Sequence, residues 1–349
     1  MKFNLKYGSR PFKAIVITII LFISIIFSLF LGPVKIPLPV VARIFFSQIP
    51  LVGNFAHWGF TGVEYDIVVL VREPVILGAV IVGAALAMGG SSVQSVFRNP
   101  ITEPYIIGIS SGATLGAVFA LSTQVMWFGA YTLQVLAFSF SIVVMVVIYS
   151  ISFRSGRVPP MYFLLSGIAI SLFLSAIVGL MLFSNKRLES EAFAWLLGSL
   201  SGVTWAEDAV VFTIVLISGI VLTSFSKDMD ALQMGEHHAQ SIGVNVERAK
   251  LISLLVTTLG VSAAVSISGL IGFVGLLMPH VSRMLFGGSN RIVIPTSAVL
   301  GAIFLLLAND IARNSLSYTE IPVGIITGLV GVPFFMYLLR RISRGGYVT

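Results

Sequence analysis

The chain has 349 residues, of which 57% are hydrophobic and 10% are charged, with a mean hydropathy of +1.01 and a net charge of +7. This composition excludes a soluble domain and indicates an all-α polytopic membrane protein, because apolar runs near 20 residues cross a bilayer as helices. The absence of cysteine excludes disulfides, thiolate metal sites and cysteine nucleophiles. The basic residues lie between the apolar runs, so they reflect membrane topology and not nucleic-acid binding.

The first apolar run, residues 12–31, follows the basic residues Lys2, Lys6, Arg10 and Lys13. A cleaved signal peptide is one interpretation of this pattern. The run is long for a signal peptide, however, and residues 31–35 contain no small-residue cleavage motif. We therefore interpret it as a retained first helix.

Ten apolar runs predict ten spans. They cover residues 12–31, 67–90, 105–121, 126–152, 161–183, 208–225, 250–268, 270–286, 293–309 and 322–340. The eighth is interrupted by the polar stretch 278–283. With ten spans and cytoplasmic termini, fifteen Lys and Arg residues lie inside and six outside, whereas without the eighth span the division is eleven to ten. Charge bias thus favours ten spans, and the short eighth one requires a sheath of protein.

Two parts of the chain resemble each other. Residues 83–90 resemble 262–269, and residues 115–119 resemble 300–304, at nearly the same offset. Spans 2–5 would then repeat as spans 7–10 in inverted orientation, as in many transporters, with chance similarity as the alternative. Within span 2, small residues at four-residue spacing (Ala79, Gly83 and Ala87) predict close helix packing.

The loop before the sixth span, residues 184–208, is predicted to hold a short interfacial helix. Its tryptophans, Trp195 and Trp205, are expected at the lipid headgroups, where amphipathic rings concentrate. A substrate-facing aromatic is the alternative for either ring.

The polar segment 231–244 lies between the sixth and seventh spans. It contains helix formers, with Gly235 and Gly243 as punctuation, and predicts a compact helical element that meets a partner. His237 and His238 point about 100° apart on a helix, so they indicate an exposed polar face in preference to a metal site or a pH switch.

The acidic residues argue against other classes of transporter and against an enzyme. Asp310 lies at the outer end of the ninth span, where it can pair with Arg313 at i, i+3. No acid lies near the centre of a span, which disfavours the alternative of a proton-driven secondary transporter. An intramembrane enzyme needs paired carboxylates, His clusters or a nucleophile at membrane depth, and the sequence contains none at plausible spacing. The serines in the spans are expected to bond their own backbone or a neighbouring helix. The chain has no Gly-Lys pair, so an ATP-driven role needs a separate ATPase.

Five stretches carry a resemblance to a known family: Arg72-Glu-Pro74, residues 82–113, residues 231–244, residues 269–283 and residues 320–328. The chain resembles, from about residue 66 to 341, the iron-chelate and vitamin B12 permeases of ABC importers. The resemblance implies a type II importer fold in a prokaryotic cytoplasmic membrane, with a homodimer around the transport path. It also implies two ATPase subunits that hold the ATP and Mg, an extracytoplasmic binding protein, and no cofactor on this chain.

The resemblance also implies a single permease domain, residues 1–349, with a coupling-helix segment at 226–249. The residues that would contact the ATPase are Gly235, Glu236, Ser241 and Gly243. The substrate would be a ferric siderophore, haem or cobalamin, with molybdate or tungstate as the alternative.

On the outer side, Arg72 and Arg313 match positions that dock on the binding protein, and the alternative is that they anchor helix ends at the headgroups. The chain departs from the family at Val75, where a second arginine usually follows the proline. His280 matches a family Pro-His pair, for which we expect a hydrogen-bonded position at a helix bend.

Overall fold

A computed structural model of the protein describes residues 10–49, 59–185, 189–316 and 320–344. Four residues in the charge comparison, Lys2, Lys6, Lys186 and Arg187, lie outside these ranges. The α-helices of the first half are α1 (Arg10–Phe30), α2 (Leu38–Ser47), α3 (Gly62–Asp66), α4 (Glu73–Val96), α5 (Ile109–Thr123), α6 (Thr132–Ser152), α7 (Pro160–Ser184) and α8 (Glu189–Leu196). Those of the second half are α9 (Trp205–Ser224), α10 (Ser226–Met234), α11 (Glu236–Ser241), α12 (Val246–Ser268), α13 (Val274–Phe286), α14 (Asn290–Asn314) and α15 (Val323–Arg344).

The ten predicted spans correspond to ten helices of this set. Seven helices in the described ranges are long and apolar enough to cross a membrane, and α5, α13 and the apolar part of α15 are shorter. The second span is longer than predicted, because α3, a π-helical stretch (Ile67–Arg72) and α4 form one continuous helix. The short helix predicted in the loop before the sixth span is α8, whereas α2 was not predicted.

Two spans are partly non-helical, which corrects their predicted limits. The third, predicted at 105–121, begins with a 3-10 turn at Pro104–Ile107, and α5 starts only at Ile109. The eighth, predicted at 270–286, becomes helical only at Val274, and its 13 residues span about 20 Å of a hydrocarbon core of about 30 Å. In the polar stretch 278–283, Met278, Pro279 and Ser282 are buried and the other three residues are half-buried, so the bundle sheathes this part of the span as expected.

Close packing joins the two halves of the chain. A Cβ on Gly83 of α4 would lie 2.3 Å from the carbonyl oxygen of Gly301 on α14, so only glycine permits this approach. The predicted packing surface on span 2 is thus confirmed. Helix α4 packs on α14, and α6 packs on α12. Span 2 therefore meets span 9, while span 7 meets span 4, which is the exchange expected of two related halves.

Candidate coupling site

The predicted compact element is a pair of short helices, α10 and α11, joined by Gly235. Gly235 has φ +121° and Gly243 has φ +87°, a region that glycine adopts without steric cost. After α11, the Val244 N–H bonds to the Ala239 carbonyl and the Gly243 N–H to the Gln240 carbonyl, which is a Schellman cap. Gly235 therefore separates α10 from α11, and Gly243 lies in the cap that ends α11, as predicted.

The pair shares a small hydrophobic core with the beginning of α12. It is formed by Ala231, Leu232, Ala239, Val246 and Ala249. The opposite face is exposed and carries His237 and His238, as predicted, together with Ser241 and Gly243. Met234 and Ile242 are 73% and 59% exposed there, and large apolar side chains on a polar surface are typical of interaction anchors.

Glu236 faces inward, because Lys250 of α12 holds it. The Lys250 Nζ lies 2.8 Å from a Glu236 carboxylate oxygen and 3.1 Å from one of Glu247, and it donates to the Val158 carbonyl at 3.2 Å. The second Glu247 oxygen accepts the Val158 N–H at 2.9 Å. With 3% of its side chain exposed, Lys250 joins α11, α12 and the α6–α7 connection. Sequence reasoning missed Lys250, although its i, i+3 spacing from Glu247 was visible.

A second set of contacts joins α10 to the beginning of α14 and the end of α4. The Asp230 carboxylate accepts the Asn290 N–H at 2.7 Å and the Ser289 hydroxyl at 3.0 Å, where the α14 dipole favours negative charge. Gln233 donates to the Ser95 hydroxyl at 2.8 Å, which in turn donates to the Asn290 side chain at 2.9 Å. A displacement of α10 would therefore act on α4 and α14 together.

The non-helical stretches meet inside the bundle. The Tyr105 hydroxyl donates to the Ile271 carbonyl and accepts the Ile271 N–H, both at 2.9 Å. Glu103 accepts the N–H of Phe273, which has φ +69°. The Ser199 N–H bonds to the Ser268 carbonyl at 2.8 Å. These contacts supply the backbone partners that a broken helix needs in a membrane.

The two arginines predicted to dock on a binding protein are buried at the opposite side of the bundle. Arg72 is 1% exposed and donates to the carbonyls of Leu29 and Val34. Arg313 is 3% exposed, and its ion pair is with Glu320 at 3.9 Å, not with Asp310 as predicted. Neither guanidinium lies on the surface of this chain, and both contact protein and not lipid headgroups. Docking on a binding protein therefore stays a prediction.

Other sites also differ from expectation. His280 makes no hydrogen bond within the described part of the chain, contrary to its expected role. Trp205 does not only face the headgroups, because its indole N–H donates to the Val69 carbonyl in the π-helical stretch at 2.7 Å. Asp208, assigned to the loop end, is fully buried in the first turn of α9, and neither carboxylate oxygen has a hydrogen-bond partner in the described ranges.

Comparison with known proteins places these features in a family. The profile of the FecCD transport family matches residues 20–341. A cobalamin import system permease protein of Halobacterium salinarum is 40% identical over 276 residues, which cover 78% of this chain and 73% of the relative. A molybdate import system permease protein of Haemophilus influenzae is 32% identical over 333 residues, which cover 95% of this chain and 96% of the relative.

A solved structure also matches nearly the whole fold. It is a metal-chelate type ABC transporter in an inward-facing conformation, with a TM-score of 0.82 and 30% sequence identity. The match covers 95% of this chain and 99% of that chain.

Proposed function

The chain belongs to the FecCD transport family, and from this premise we propose that it moves a metal chelate inward as the permease subunit of an ABC importer. The substrate is a ferric siderophore, haem or cobalamin. The observation that carries the proposal is the α10–α11 pair. It shares a small core with the beginning of α12 and exposes two large apolar side chains. Separate polar contacts bond it to α4, α12 and α14.

The energy comes from a separate ATPase, because this chain has no phosphate-binding Gly-Lys pair. Two ATPase subunits dock on the α10–α11 pairs of a homodimer, and closure of the ATPase dimer by ATP moves these pairs. Because α10 is bonded to α14 and α4, and α11 to α12, this movement shifts the equilibrium between outward-open and inward-open bundles. The chain itself carries out no chemistry.

A molybdate or tungstate oxyanion is the second candidate substrate. It is favoured by the relative from Haemophilus influenzae, which is named as a molybdate permease and aligns over nearly the whole of both chains. Uptake of ferric siderophore, haem, cobalamin and molybdate by the same reconstituted complex would distinguish the two classes.

The test replaces the exposed anchors. We expect Met234→Ser and Ile242→Ser each to weaken co-purification of the ATPase about tenfold or more. The reason is that a few side chains, buried when the partner binds, carry most of the binding energy of an interface. The matched control is Met126→Ser, since Met126 is 79% exposed in the α5–α6 connection. Equal ATPase recovery from Met234→Ser and Met126→Ser would contradict the assignment of α10–α11 as the coupling site.

A further inference from the structure

A polar hollow of about 230 Å³ lies on the same side of the bundle as α10, between the end of α4, α10 and α13. Its polar lining consists of Gln94, Arg98, Asn99, Gln233, His280 and Arg283. No carboxylate is among the lining residues. Asp230, whose charge acts on Arg283, is committed to the first residues of α14. The described lining of the hollow therefore carries two arginines and no carboxylate of its own.

Arg283 is held so that one of its donors lacks an acceptor. Its Nη1 donates to the side-chain oxygen (Oε1) of Gln94. The side-chain nitrogen (Nε2) of Gln94 donates to the backbone carbonyls of Gly275 and Leu276 at 3.2 and 3.3 Å. Gln94 is thus fully committed and fixes the guanidinium. The Arg283 Nη2 is buried and has no hydrogen-bond partner in the described chain. A buried charged donor without an acceptor is unfavourable, and an anion in the hollow would satisfy it.

Arg98 occupies a backbone position that normally favours glycine. The Asn99 N–H bonds to the Gln94 carbonyl, and the Arg98 N–H to the Ser95 carbonyl, so Arg98 closes a Schellman cap with φ +51°. An arginine pays a steric penalty at this position that a glycine would not. Strain retained at one residue is a reason to look for a role of its side chain. Here the side chain lines the same hollow as Arg283.

We propose that this hollow, which we call the α4–α13 hollow, binds a phosphate-class oxyanion. The two guanidiniums present planar forks of N–H donors that match tetrahedral oxyanions. The side-chain oxygen (Oδ1) of Asn99 accepts the Ile101 N–H, so the side-chain NH₂ group of Asn99 is left to donate to a ligand. Since a water takes about 30 Å³ of liquid volume, the hollow has room for a phosphate and a few waters. Both a free phosphate and the phosphodiester of an anionic lipid have this chemistry.

The first measurement is binding of inorganic phosphate to the purified full chain in an uncharged detergent, by equilibrium dialysis. We expect one saturable site per chain. Arg283→Gln and Arg98→Gln should each weaken binding about tenfold or more, because each removes charge-assisted hydrogen bonds. The control is Arg291→Gln, which removes an exposed arginine from the first turn of α14 outside the hollow.

A second variant separates binding from folding. Arg98→Gly removes the guanidinium and also the steric cost of a side chain at positive φ. We therefore expect an unchanged or higher unfolding midpoint, together with the loss of phosphate binding expected for Arg98→Gln. A purely structural role of Arg98 would not give this combination. Should Arg283→Gln not fold, Arg98→Gly alone decides the test.

The source of the oxyanion is distinguished in nanodiscs. Native mass spectrometry measures the lipid that stays bound to the chain after release from two kinds of disc. One kind contains phosphatidylcholine alone, and the other also contains phosphatidylglycerol. Retention of phosphatidylglycerol that is lost in Arg98→Gly assigns a lipid headgroup, and phosphate binding that phosphatidylglycerol does not compete assigns a free anion. Absence of saturable binding of either, or equal binding by Arg98→Gly and Arg291→Gln, overturns the proposal. No ATPase or transported substrate is used, so either result leaves the proposed function unaffected.

Discussion

Buried basic side chains are paired differently in two regions of the molecule, around Lys250 and at Arg72 and Arg313. On the side of α10 and α11, Lys250 has two carboxylates and a carbonyl around its ammonium group. On the opposite side, Arg72 Nε and Arg313 Nη1 are buried without a hydrogen-bond partner in the described chain. The first arrangement joins elements that are distant in sequence, whereas the second secures helix ends with incomplete pairing. We infer that the Lys250 contacts transmit movement between elements, whereas Arg72 and Arg313 fix the positions of helix ends.

The largest effect is expected at Lys250. Lys250→Met leaves Glu236 and Glu247 next to each other without their cation, and removal of one partner from a buried ion pair costs about 3–5 kcal/mol. Partial exposure of both carboxylates places the loss near the lower value. The free energy of unfolding in mixed micelles measures it. Lys227→Met, at an exposed position of α10, is the control, and an equal loss in both would show that the Lys250 contacts contribute no stability.

Arg72→Met tests the opposite side. It removes the donor from the Leu29 and Val34 carbonyls, and we expect a loss of about 2 kcal/mol in the free energy of unfolding. Affinity of the folded variant for a binding protein should change little, because the guanidinium is not on the surface. A large loss of that affinity with unchanged stability would instead support the docking role predicted from the resemblance.

Asp230→Asn tests whether α10 acts on α14. The amide retains the shape of the side chain and loses the charge at the beginning of α14, so we expect a loss of about 1 kcal/mol. Hydrogen exchange of the first turn of α14 should become faster, while exchange in α12 stays unchanged. Equal acceleration in both helices would mean that the two attachments of the α10–α11 pair are not separate.

The smallest effect is expected for Gly243→Ala. Its φ of +87° disfavours a side chain, and the expected loss is about 1 kcal/mol. Gly288→Ala is the matched control, since an added Cβ there meets open space at an ordinary φ. Substrate uptake should fall more than binding-protein docking in Gly243→Ala. Equal losses would argue against a local role of this loop in coupling.

The sequence predicted the features that depend on local chemistry. Runs of apolar residues gave the ten spans, and Gly235 and Gly243 gave the limits of α11, because periodicity and positive φ are properties of short segments. The contacts of Lys250 with Glu236 and Val158 required the fold, since the partners are 14 and 92 residues away. The inward position of Arg72 was also not predictable, because a helix-end arginine faces lipid, solvent or protein according to its neighbours.

The close approach of Gly83 and Gly301 limits the kinds of motion this bundle permits. Because their backbones are in direct contact at Gly83 and Gly301, α4 and α14 pack as one rigid unit. They cannot slide past each other by a residue without a clash. We therefore expect α4 and α14 to keep their relative position during transport. The helices α5 and α13 are expected to rotate about the interrupted stretches that precede them.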